Sequence, residues 1–244
     1  MRNVIITGGT RGLGLEIARK LVCAGYSVVV IARRQSDELF AALRERRGDE
    51  ASPLHFRPYD FAEIDGIPEL VKSIRAEFGP IYGLVNNAGI GTSGILATMP
   101  TSQIERLVRI NTLSPIILTK HVVRAMMVGG GGRIINIASI VAQTGFAGLT
   151  VYGATKASLI GLTRSLAREV GPLGITVTAV APGFVDTAMT EGLDADQRER
   201  IMRRSPLHRL AGPEDIADMV EFLMSDRARN ITGTVLTVDA GGTA

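Results

Sequence analysis

Short runs of apolar and β-branched residues alternate along the chain with longer segments in which apolar positions recur every three or four residues. The short runs predict strands at residues 4–7, 28–32, 54–59, 83–85, 133–137, 175–180 and 235–238. The longer segments predict helices near residues 13–23, 37–46, 67–78, 101–127, 152–170 and 213–224. This alternation predicts a parallel sheet with helices on both faces.

Residues 1–244 are predicted to form a single domain, because no Pro- or Ser-rich linker and no internal repeat interrupts the alternation. The least regular segment, at about 183–212, is polar and charged and lies between Pro182-Gly183 and Gly212-Pro213. We expect it to form a flap over a site at the carboxyl edge of the sheet, where α/β proteins bind their ligands.

The composition is that of an ordinary globular protein, with 45% hydrophobic and 21% charged residues. The net charge is only +3, and the basic residues are mixed with acids. With 5% aromatic residues, the chain is a poor candidate for a nucleic-acid binder. Residues 78–104 and 134–155 carry no formal charge, but Gly, Asn, Pro and Thr interrupt them. We therefore predict loops that meet a ligand there, and no membrane span.

Cys23 is the only cysteine, which excludes an intrachain disulfide and a cysteine zinc site. The three histidines lie far apart in the sequence, so no metal site is predicted. We expect Cys23 to be a buried, inert thiol. No secretory signal is recognised before the first strand, and the expected location is cytoplasmic.

A glycine-rich turn, TGGTRGLG at residues 7–14, follows the first predicted strand. Gly8 suits a tight turn, Gly12 lets the backbone approach a pyrophosphate, and Gly14 lets the next helix pack closely. The N-terminus of that helix offers free N–H groups and the positive end of its dipole to phosphates. The turn predicts a dinucleotide site, and a purely structural turn is the alternative.

The end of the second predicted strand bears on which dinucleotide binds. An acid there would bond the ribose 2′-OH of NAD, whereas an arginine suits the 2′-phosphate of NADP. Ala32 stands where the acid would be, Arg33 follows, and Arg11 in the glycine turn is a second candidate for the same phosphate. We therefore predict NADP(H) over NAD(H); the alternative is that both arginines are ordinary solvated charges.

Tyr152 and Lys156 are four residues apart in a predicted helix and therefore share one of its faces. An ammonium about 5 Å from the phenol lowers its pKa by roughly two units, which suits a general acid and base near neutral pH. Ser139, just after a predicted strand, is placed to hold a carbonyl oxygen beside the tyrosine. The alternative is an unrelated surface pair. A serine hydrolase is disfavoured because Ser139 lies outside a Gly-x-Ser-x-Gly motif.

Several motifs occur in a characteristic order over nearly the whole chain. They are TGxxxGxG at 7–14, NNAG at 86–89, Asn111, Ser139, YxxxK at 152–156 and Pro182-Gly183. This set resembles the short-chain dehydrogenase/reductases. The resemblance implies a Rossmann-type α/β fold, with a doubly wound parallel sheet of about seven strands, and an NAD(P)-dependent oxidoreductase acting on CH–OH groups.

The resemblance also implies individual roles. Tyr152 would exchange a proton with the substrate oxygen, which Ser139 would hold. Lys156 would lower the tyrosine pKa and bond the nicotinamide ribose, and Asn111 would hold a water that links Lys156 to solvent. Together with the arginines argued above, the predicted cofactor-binding residues are Thr7, Gly8, Thr10, Arg11, Gly12, Leu13, Gly14, Arg33, Asp60, Phe61, Asn87, Ala88, Gly89, Tyr152, Lys156, Pro182, Gly183, Val185 and Thr187. The predicted substrate pocket consists of Ser139, Gln143, Phe146, Tyr152, Phe184 and Met189.

Within the family, segments such as GLTRSLAREV at 161–170 are similar to the bacterial 3-oxoacyl-(acyl-carrier-protein) reductases. That similarity implies an NADPH-dependent homotetramer in fatty acid biosynthesis. Two places depart from it: three glycines at 129–131 and Leu173 stand where basic residues of those enzymes help to dock the carrier protein. The substrate therefore stays open between a carrier-bound thioester and a small ketone or secondary alcohol.

A different class of function is a module that binds NADP without catalysing a reaction. The complete set of Asn111, Ser139, Tyr152 and Lys156 disfavours this class, because such a module needs none of the four together.

Overall fold

The sheet has seven parallel strands in a computed structural model that describes residues 1–45, 54–185 and 195–244. The strand order is β3-β2-β1-β4-β5-β6-β7, so the order reverses between β1 and β4. The strands are β1 Asn3–Thr7, β2 Ser27–Ala32, β3 Leu54–Pro58, β4 Ile81–Asn86, β5 Gly132–Ile137, β6 Ile175–Pro182 and β7 Val235–Val238. Each predicted strand is present to within two residues at each end, and the predicted doubly wound α/β fold is confirmed.

Helices lie between the strands in the described part of the chain. They are α1 Gly12–Cys23, α2 Asp37–Glu45, α3 Ile67–Phe78, α4 Thr101–Val108, α5 Ser114–Gly129, α6 Val141–Thr144, α7 Thr150–Val170, α8 Ala195–Arg204 and α9 Pro213–Met224. Local chemistry sets several of their ends. For example, the Gly212 N–H donates to the Asp215 carboxylate at 2.8 Å before Pro213 begins α9.

The core has one apolar layer on each face of the sheet, as the alternation of side chains along a strand requires. Val4 and Ile6 of β1 face one way and join the cluster built with α1, α2 and α9. Ile5 between them faces the other way, toward α3, α5 and α7. Because both faces are covered, the strands consist of almost continuous apolar runs, which is why the sequence located them well.

The predicted helix at 101–127 is in fact two α-helices separated by a π-helical segment, Arg109–Leu113. A π turn holds an extra residue, so the side chains on either side change their direction around the helix axis. Apolar periodicity continues through this segment, and the interruption was therefore not visible in the sequence pattern.

The expectation of an irregular segment at 183–212 is wrong for residues 195–204, which form α8. This helix is almost entirely polar, so apolar periodicity could not indicate it. Val185 and Ala211 pair as an isolated parallel bridge, which brings the two ends of the intervening segment together. Residues 186–194 lie outside the described part of the chain.

The prediction that Cys23 is buried is also wrong, because its side chain is exposed. The buried stripe of α1 includes Ile17, Leu21 and Val22. Cys23 is the last residue of the helix and points beyond this stripe, next to the turn that leads into β2. Among the described residues, no helix is both long and apolar enough to cross a membrane.

Candidate active site

The glycine turn after β1 packs closely against the loop that follows β4. Gly8 has φ +70°, and a Cβ there would lie 2.9 Å from the Cα of Ala88. A Cβ on Gly14 would collide with the Gly8 carbonyl oxygen and with Nδ2 of Asn87. Both positions therefore require glycine, and the turn holds the start of α1 close to the carboxyl edge of the sheet.

Thr7 and Asn87 fasten these two loops together. The Thr7 hydroxyl accepts hydrogen bonds from the backbone N–H groups of Asn87 at 3.0 Å and Ala88 at 2.9 Å. In return, Nδ2 of Asn87 donates to the carbonyl oxygens of Thr7 at 2.9 Å and Gly8 at 3.1 Å. We predicted both residues as cofactor contacts. In the structure, the Asn87 side-chain amide is hydrogen-bonded to the glycine turn and so fixes the shape of the surface that would bind the cofactor.

The N-terminus of α1 is suited to an anion such as the pyrophosphate of a dinucleotide. No side chain caps it, and its first turn contains no acidic residue. Gly12 and Leu13 begin the helix; Gly12 has φ +51°, and a Cβ there would meet no atom within 4 Å. The open space and the free N–H groups fit the phosphates of the predicted cofactor.

Arg11 and Arg33 are both exposed, and neither forms a salt bridge with another described residue. The Ser36 hydroxyl donates to the Thr10 carbonyl oxygen at 2.5 Å, which joins the glycine turn to the start of α2. The pKa of Glu38 is lowered by hydrogen bonds at its own backbone and Ser36, and further by the charge of Arg11. Arg11 therefore lies near α2 and the end of β2, where Arg33 stands.

Asp60 and Phe61 follow β3. Oδ1 of Asp60 accepts from the N–H of Ala62 at 2.9 Å, and the carboxylate remains half-buried. The Phe61 ring is only 7% exposed and packs edge-on against Tyr59 in the core. Its carbonyl oxygen accepts a short hydrogen bond from the Ser114 hydroxyl. The Phe61 side chain is thus part of the core, whereas Asp60 still lies at the surface of the site.

Ser139, Tyr152 and Lys156 come together at the end of β5. Ser139 is two residues beyond this strand, and its hydroxyl accepts from the Val141 N–H at 3.2 Å. It lies close enough to Tyr152 to lower the pKa of that phenol, against the effect of burial. Tyr152 lies in the first turn of α7, and Nζ of Lys156, one turn further along, is 5.8 Å from the centre of its ring. The Lys156 ammonium donates to the carbonyl oxygen of Ile137 at 2.8 Å, which ties α7 to β5.

The electrostatics of this pair differ from the lowering of the tyrosine pKa that we expected. Burial is the largest influence on Tyr152 and raises its pKa, while the Ser139 hydroxyl acts in the opposite direction. Lys156 is itself buried, and burial lowers its pKa to about 8. The expectation counted only the attraction between a charged lysine and the phenol; in the structure, desolvation by burial is the largest influence on both groups.

Asn111 lies in the π-helical segment and is 1% exposed. Its side-chain amide bonds both backbone groups of Ile90 and also donates to the Thr155 hydroxyl at 3.2 Å. Gly89 lies directly above it: a Cβ there would be 3.4 Å from Oδ1 of Asn111 and 3.6 Å from Nζ of Lys156. Asn111 is therefore next to Lys156 without a direct hydrogen bond to it.

The predicted nicotinamide segment begins at the end of β6. Pro182 ends this strand, and the Gly183 N–H donates to the carbonyl oxygen of Val238 at 2.9 Å. A Cβ on Gly183 would lie 2.7 Å from the Cβ of Asp239, so only glycine fits at that point. Val185 is buried, whereas Thr187 and Met189 lie outside the described residues.

Three of the predicted pocket residues lie on the segments that follow β5 and β6. Phe146 and Phe184 contact each other edge-to-face with their ring centres 5.6 Å apart. Gln143 is exposed on the short helix α6. Among the described residues, no group of three or more His, Cys, Asp and Glu side chains is arranged to hold a metal ion.

The sequence patterns did not indicate Ile90 and Thr155, the two partners of Asn111, or the exposed Ile95 and Leu96 in the loop after β4. Ile90 bonds Asn111 through its backbone N–H and carbonyl oxygen, which every residue type except proline has, so the sequence could not indicate it. Ile95 and Leu96 lie within the uncharged stretch 78–104, and that stretch was the available indication of a ligand-facing loop.

Comparisons with known proteins match this geometry. A family model described as enoyl-(acyl carrier protein) reductase matches residues 8–243. The 3-oxoacyl-(acyl-carrier-protein) reductase FabG of Salmonella typhimurium is 42% identical over 237 residues, which are 97% of this chain and 95% of that protein. The enzyme of the same name from Staphylococcus epidermidis is 35% identical over 240 residues, or 98% of each protein.

Solved structures show the same fold over nearly the whole chain. A gluconate 5-dehydrogenase from Burkholderia cenocepacia in complex with NADP and tartrate has a TM-score of 0.93 at 29% identity, covering 99% of this chain and 95% of that one. A short-chain type dehydrogenase/reductase from Mycobacterium ulcerans has a TM-score of 0.92 at 31% identity, covering 99% of this chain and 89% of that one. A variant of ElxO with NADPH bound has a TM-score of 0.89 at 30% identity, covering 99% of this chain and 98% of that one.

Proposed function

The chain belongs to the short-chain dehydrogenase/reductase family and is an NAD(P)-dependent oxidoreductase, and from this premise we propose that it reduces the 3-oxo group of an acyl thioester to a secondary alcohol with NADPH. The observation that carries the proposal is the arrangement of Ser139, Tyr152 and Lys156 at the end of β5. Hydroxyl, phenol and ammonium meet there beside a surface that fits a dinucleotide.

In the proposed mechanism, bound NADPH would supply the hydride. Ser139 donates a hydrogen bond to the carbonyl oxygen of the substrate and thereby orients and polarises it. Tyr152 gives its phenolic proton to the same oxygen as negative charge develops there. The Lys156 ammonium then stabilises the tyrosinate and is held in position by the Ile137 carbonyl oxygen.

The raised pKa of Tyr152 supports reduction as the favoured direction near neutral pH. A phenol whose pKa lies above its usual value of about 10 is protonated at pH 7 and therefore ready to donate. Oxidation of an alcohol requires the tyrosinate instead, so the rate of oxidation should increase at alkaline pH.

The choice of NADPH rests on the two exposed arginines near the start of α2. Arg11 and Arg33 have no salt-bridge partner among the described residues, and no acid stands at the end of β2. A 2′-phosphate would satisfy both guanidinium groups with charge-assisted hydrogen bonds. Related structures that hold NADP and NADPH support the same choice.

A second candidate substrate is a small ketone that no carrier protein delivers. It is favoured by the three glycines at 129–131 and by Leu173, which is 39% exposed. The resemblance to the 3-oxoacyl reductases implies basic residues at these positions. Without those charges, this surface lacks the usual attraction for an acidic carrier protein. The acyl thioester remains the first candidate because the relatives with 35–42% identity over almost the full chain are 3-oxoacyl reductases.

The proposal includes a homotetrameric assembly and one catalytic domain spanning residues 1–244, active in the cytoplasm. Small exposed residues on α7, namely Ala154, Ala157 and Gly161, support close approach of a helix from another copy. Exposed apolar side chains on the neighbouring helical segments, Val108, Leu113 and Ile116, support the same assembly.

The function is tested by following NADPH oxidation with acetoacetyl-CoA and with a panel of simple ketones. Rapid oxidation with the thioester supports the acyl reductase, and turnover confined to the ketones supports the second candidate. Failure with every carbonyl substrate, although the protein is folded and binds NADPH, would refute both. Repeating each assay with NADH measures the cofactor preference.

A further inference from the structure

Large apolar side chains are exposed on two loops at the carboxyl edge of the sheet, the edge that also holds Ser139. Ile95 is 64% exposed, Leu96 49% and Phe146 50%. Ile95 and Leu96 belong to the loop after β4, and Phe146 belongs to the loop between α6 and α7. A hydrogen bond of 2.9 Å from the Gly94 N–H to the Gly148 carbonyl oxygen joins the two loops, so they lie side by side.

Phe146 is connected to the catalytic residues by short pieces of chain. It stands seven residues after Ser139 and six before Tyr152, and its carbonyl oxygen accepts from the Leu149 N–H at 3.1 Å just before α7 begins. Its ring contacts Phe184 with an interplanar angle of 63°. Phe184 follows Gly183 at the end of β6, so this aromatic pair joins the loop between α6 and α7 to the chain after β6.

The loop after β4 and the loop between α6 and α7 bring no charged side chain to a substrate. The stretches 78–104 and 134–155, which supply both loops, contain no Asp, Glu, Lys, Arg or His. A charged substituent entering between the loops would lose its hydration without gaining an ion pair from them. An apolar substituent would instead remove the exposed rings and aliphatic side chains from water.

We propose that Phe146, with Phe184 behind it, determines substrate specificity by binding the apolar part of the substrate beyond its carbonyl carbon. The favoured substrate class is therefore a 3-oxo compound with an aliphatic chain or an aryl group, rather than a short or polar ketone. This inference rests on the proposed reduction of a carbonyl group. It identifies the apolar chain beyond the carbonyl carbon as the part of the substrate by which the enzyme selects.

The physical consequence is a dependence of catalysis on chain length. A methylene group that is fully buried against these side chains raises kcat/KM by about fourfold, and a partly buried one by less. The gain should stop at the length at which the chain extends past the Phe146 ring into solvent. Removal of the ring should flatten this dependence and leave the shortest substrate little affected.

The test uses N-acetylcysteamine thioesters of 3-oxobutanoic, 3-oxohexanoic, 3-oxooctanoic and 3-oxodecanoic acid, with NADPH, and the full-length protein. Phe146→Ala removes the ring, and Phe146→Leu restores much of the apolar surface. Phe40→Ala is the matched control, because Phe40 is a similarly exposed phenylalanine (46%) on α2. The methyl ketones of the same chain lengths form a second series.

We expect kcat/KM of the unmodified protein to rise at least tenfold from the shortest to the best substrate. Phe146→Ala should lose most of that rise, chiefly through KM, while its value for 3-oxobutanoyl thioester changes by less than about threefold. Phe146→Leu should recover a large part of the rise, and Phe40→Ala should behave like the parent. Equilibrium NADPH binding should be the same in all four proteins.

An equal chain-length dependence in Phe146→Ala and the parent, or no dependence in the parent, would overturn the inference while the reductase function stands. Light scattering that shows loss of assembly in Phe146→Ala, with unchanged selectivity, would assign the aromatic pair to contacts between copies and overturn it as well. Absence of turnover with both substrate series would overturn the proposed function, and the inference would fail with it.

Discussion

The side-chain amide of Asn111 holds the backbone of Ile90 from both directions. Its Oδ1 accepts from the Ile90 N–H at 2.9 Å, and its Nδ2 donates to the Ile90 carbonyl oxygen at 2.8 Å. The same Nδ2 reaches the Thr155 hydroxyl at 3.2 Å. One buried side chain thus fixes the loop after β4 relative to the helix that carries the catalytic tyrosine and lysine, and the π turn directs it into that position.

Asn111→Ala should lower both stability and activity. It leaves two partly buried backbone groups of Ile90 without partners, at a cost of about 1–3 kcal/mol in the free energy of unfolding. We expect kcat to fall at least about tenfold, because the loop after β4 and the helix that carries Tyr152 and Lys156 lose the side chain that joins them. Urea denaturation and steady-state kinetics measure the two effects. Thr112→Ala, which removes only a hydroxyl contact with Ser158 in the same π segment, should cost less than about 1 kcal/mol.

Tyr152→Phe should abolish turnover and spare cofactor binding. The change removes only the phenolic oxygen, the proposed proton donor, so kcat should fall by about a thousandfold or more. NADPH affinity, measured by fluorescence titration, should stay within about threefold of the parent. Tyr26→Phe is the control: its hydroxyl donates to the Met224 carbonyl oxygen away from the site, and its loss should leave kcat unchanged. A Tyr152→Phe enzyme with more than a tenth of the parent activity would refute the assignment.

Lys156→Met should change how stability depends on pH. Burial holds the pKa of Lys156 at about 8 in the folded protein, against an ordinary value of 10.5 for a lysine side chain. The unfolded chain therefore binds more protons between these two values, and the stability of the parent rises with pH in that window. Relative to Lys156→Met, we expect the free energy of unfolding of the parent to increase on the order of 3 kcal/mol between a pH below 8 and a pH above 10.5.

Urea unfolding at several pH values, compared between the parent and Lys156→Met, measures this gain. Lys120→Met serves as the control because the side chain of Lys120 is exposed on α5. Parallel stability curves for the parent and Lys156→Met would contradict the prediction.

Arg33→Ala should weaken binding of NADPH and leave that of NADH nearly unchanged. Loss of a charge-assisted hydrogen bond to the 2′-phosphate corresponds to about a tenfold to hundredfold rise in Kd for NADPH. The difference between the two cofactors should also shrink as the salt concentration rises. Arg19→Ala, an exposed position on α1, provides the control. Equal effects on NADPH and NADH would mean that Arg33 does not recognise the phosphate.

Ala157→Arg should disrupt the proposed homotetramer. A long charged side chain in the stripe of small residues on α7 would prevent another helix from approaching and would bury a charge without a partner. Light scattering should show a tetramer for the parent and smaller species for the variant. Ala76→Arg, at an exposed alanine of α3, should leave the assembly unchanged. A parent protein that is monomeric at micromolar concentration would contradict the proposed assembly.

The sequence was most informative where local chemistry is restrictive. Gly8 and Gly14 are required because the backbone or a neighbouring loop leaves no room for a Cβ, and such positions are visible as a glycine motif. Tyr152 and Lys156 were paired because a helix brings residues four apart onto one face. The buried strands were located because a sheet covered on both faces needs nearly continuous apolar runs.

Other features depended on contacts between distant parts of the chain. The exposure of Cys23, the π turn at Asn111 and the polar helix α8 leave no mark in apolar periodicity. The buried position of Phe61 and the use of the Asn87 amide to hold the glycine turn likewise depend on neighbours far along the chain.

The sequence by itself therefore determined the α/β fold and which side chains are available for proton transfer, because periodicity and residue type are local properties. The tertiary structure alone decided the electrostatic state of the site and the shape of its mouth. Desolvation raises the pKa of Tyr152 and lowers that of Lys156 only once the sheet and α7 enclose them. Similarly, Phe146 meets Phe184 only because β6 lies beside β5 in the sheet, and a contact between separate strands and loops has no counterpart in the order of residues.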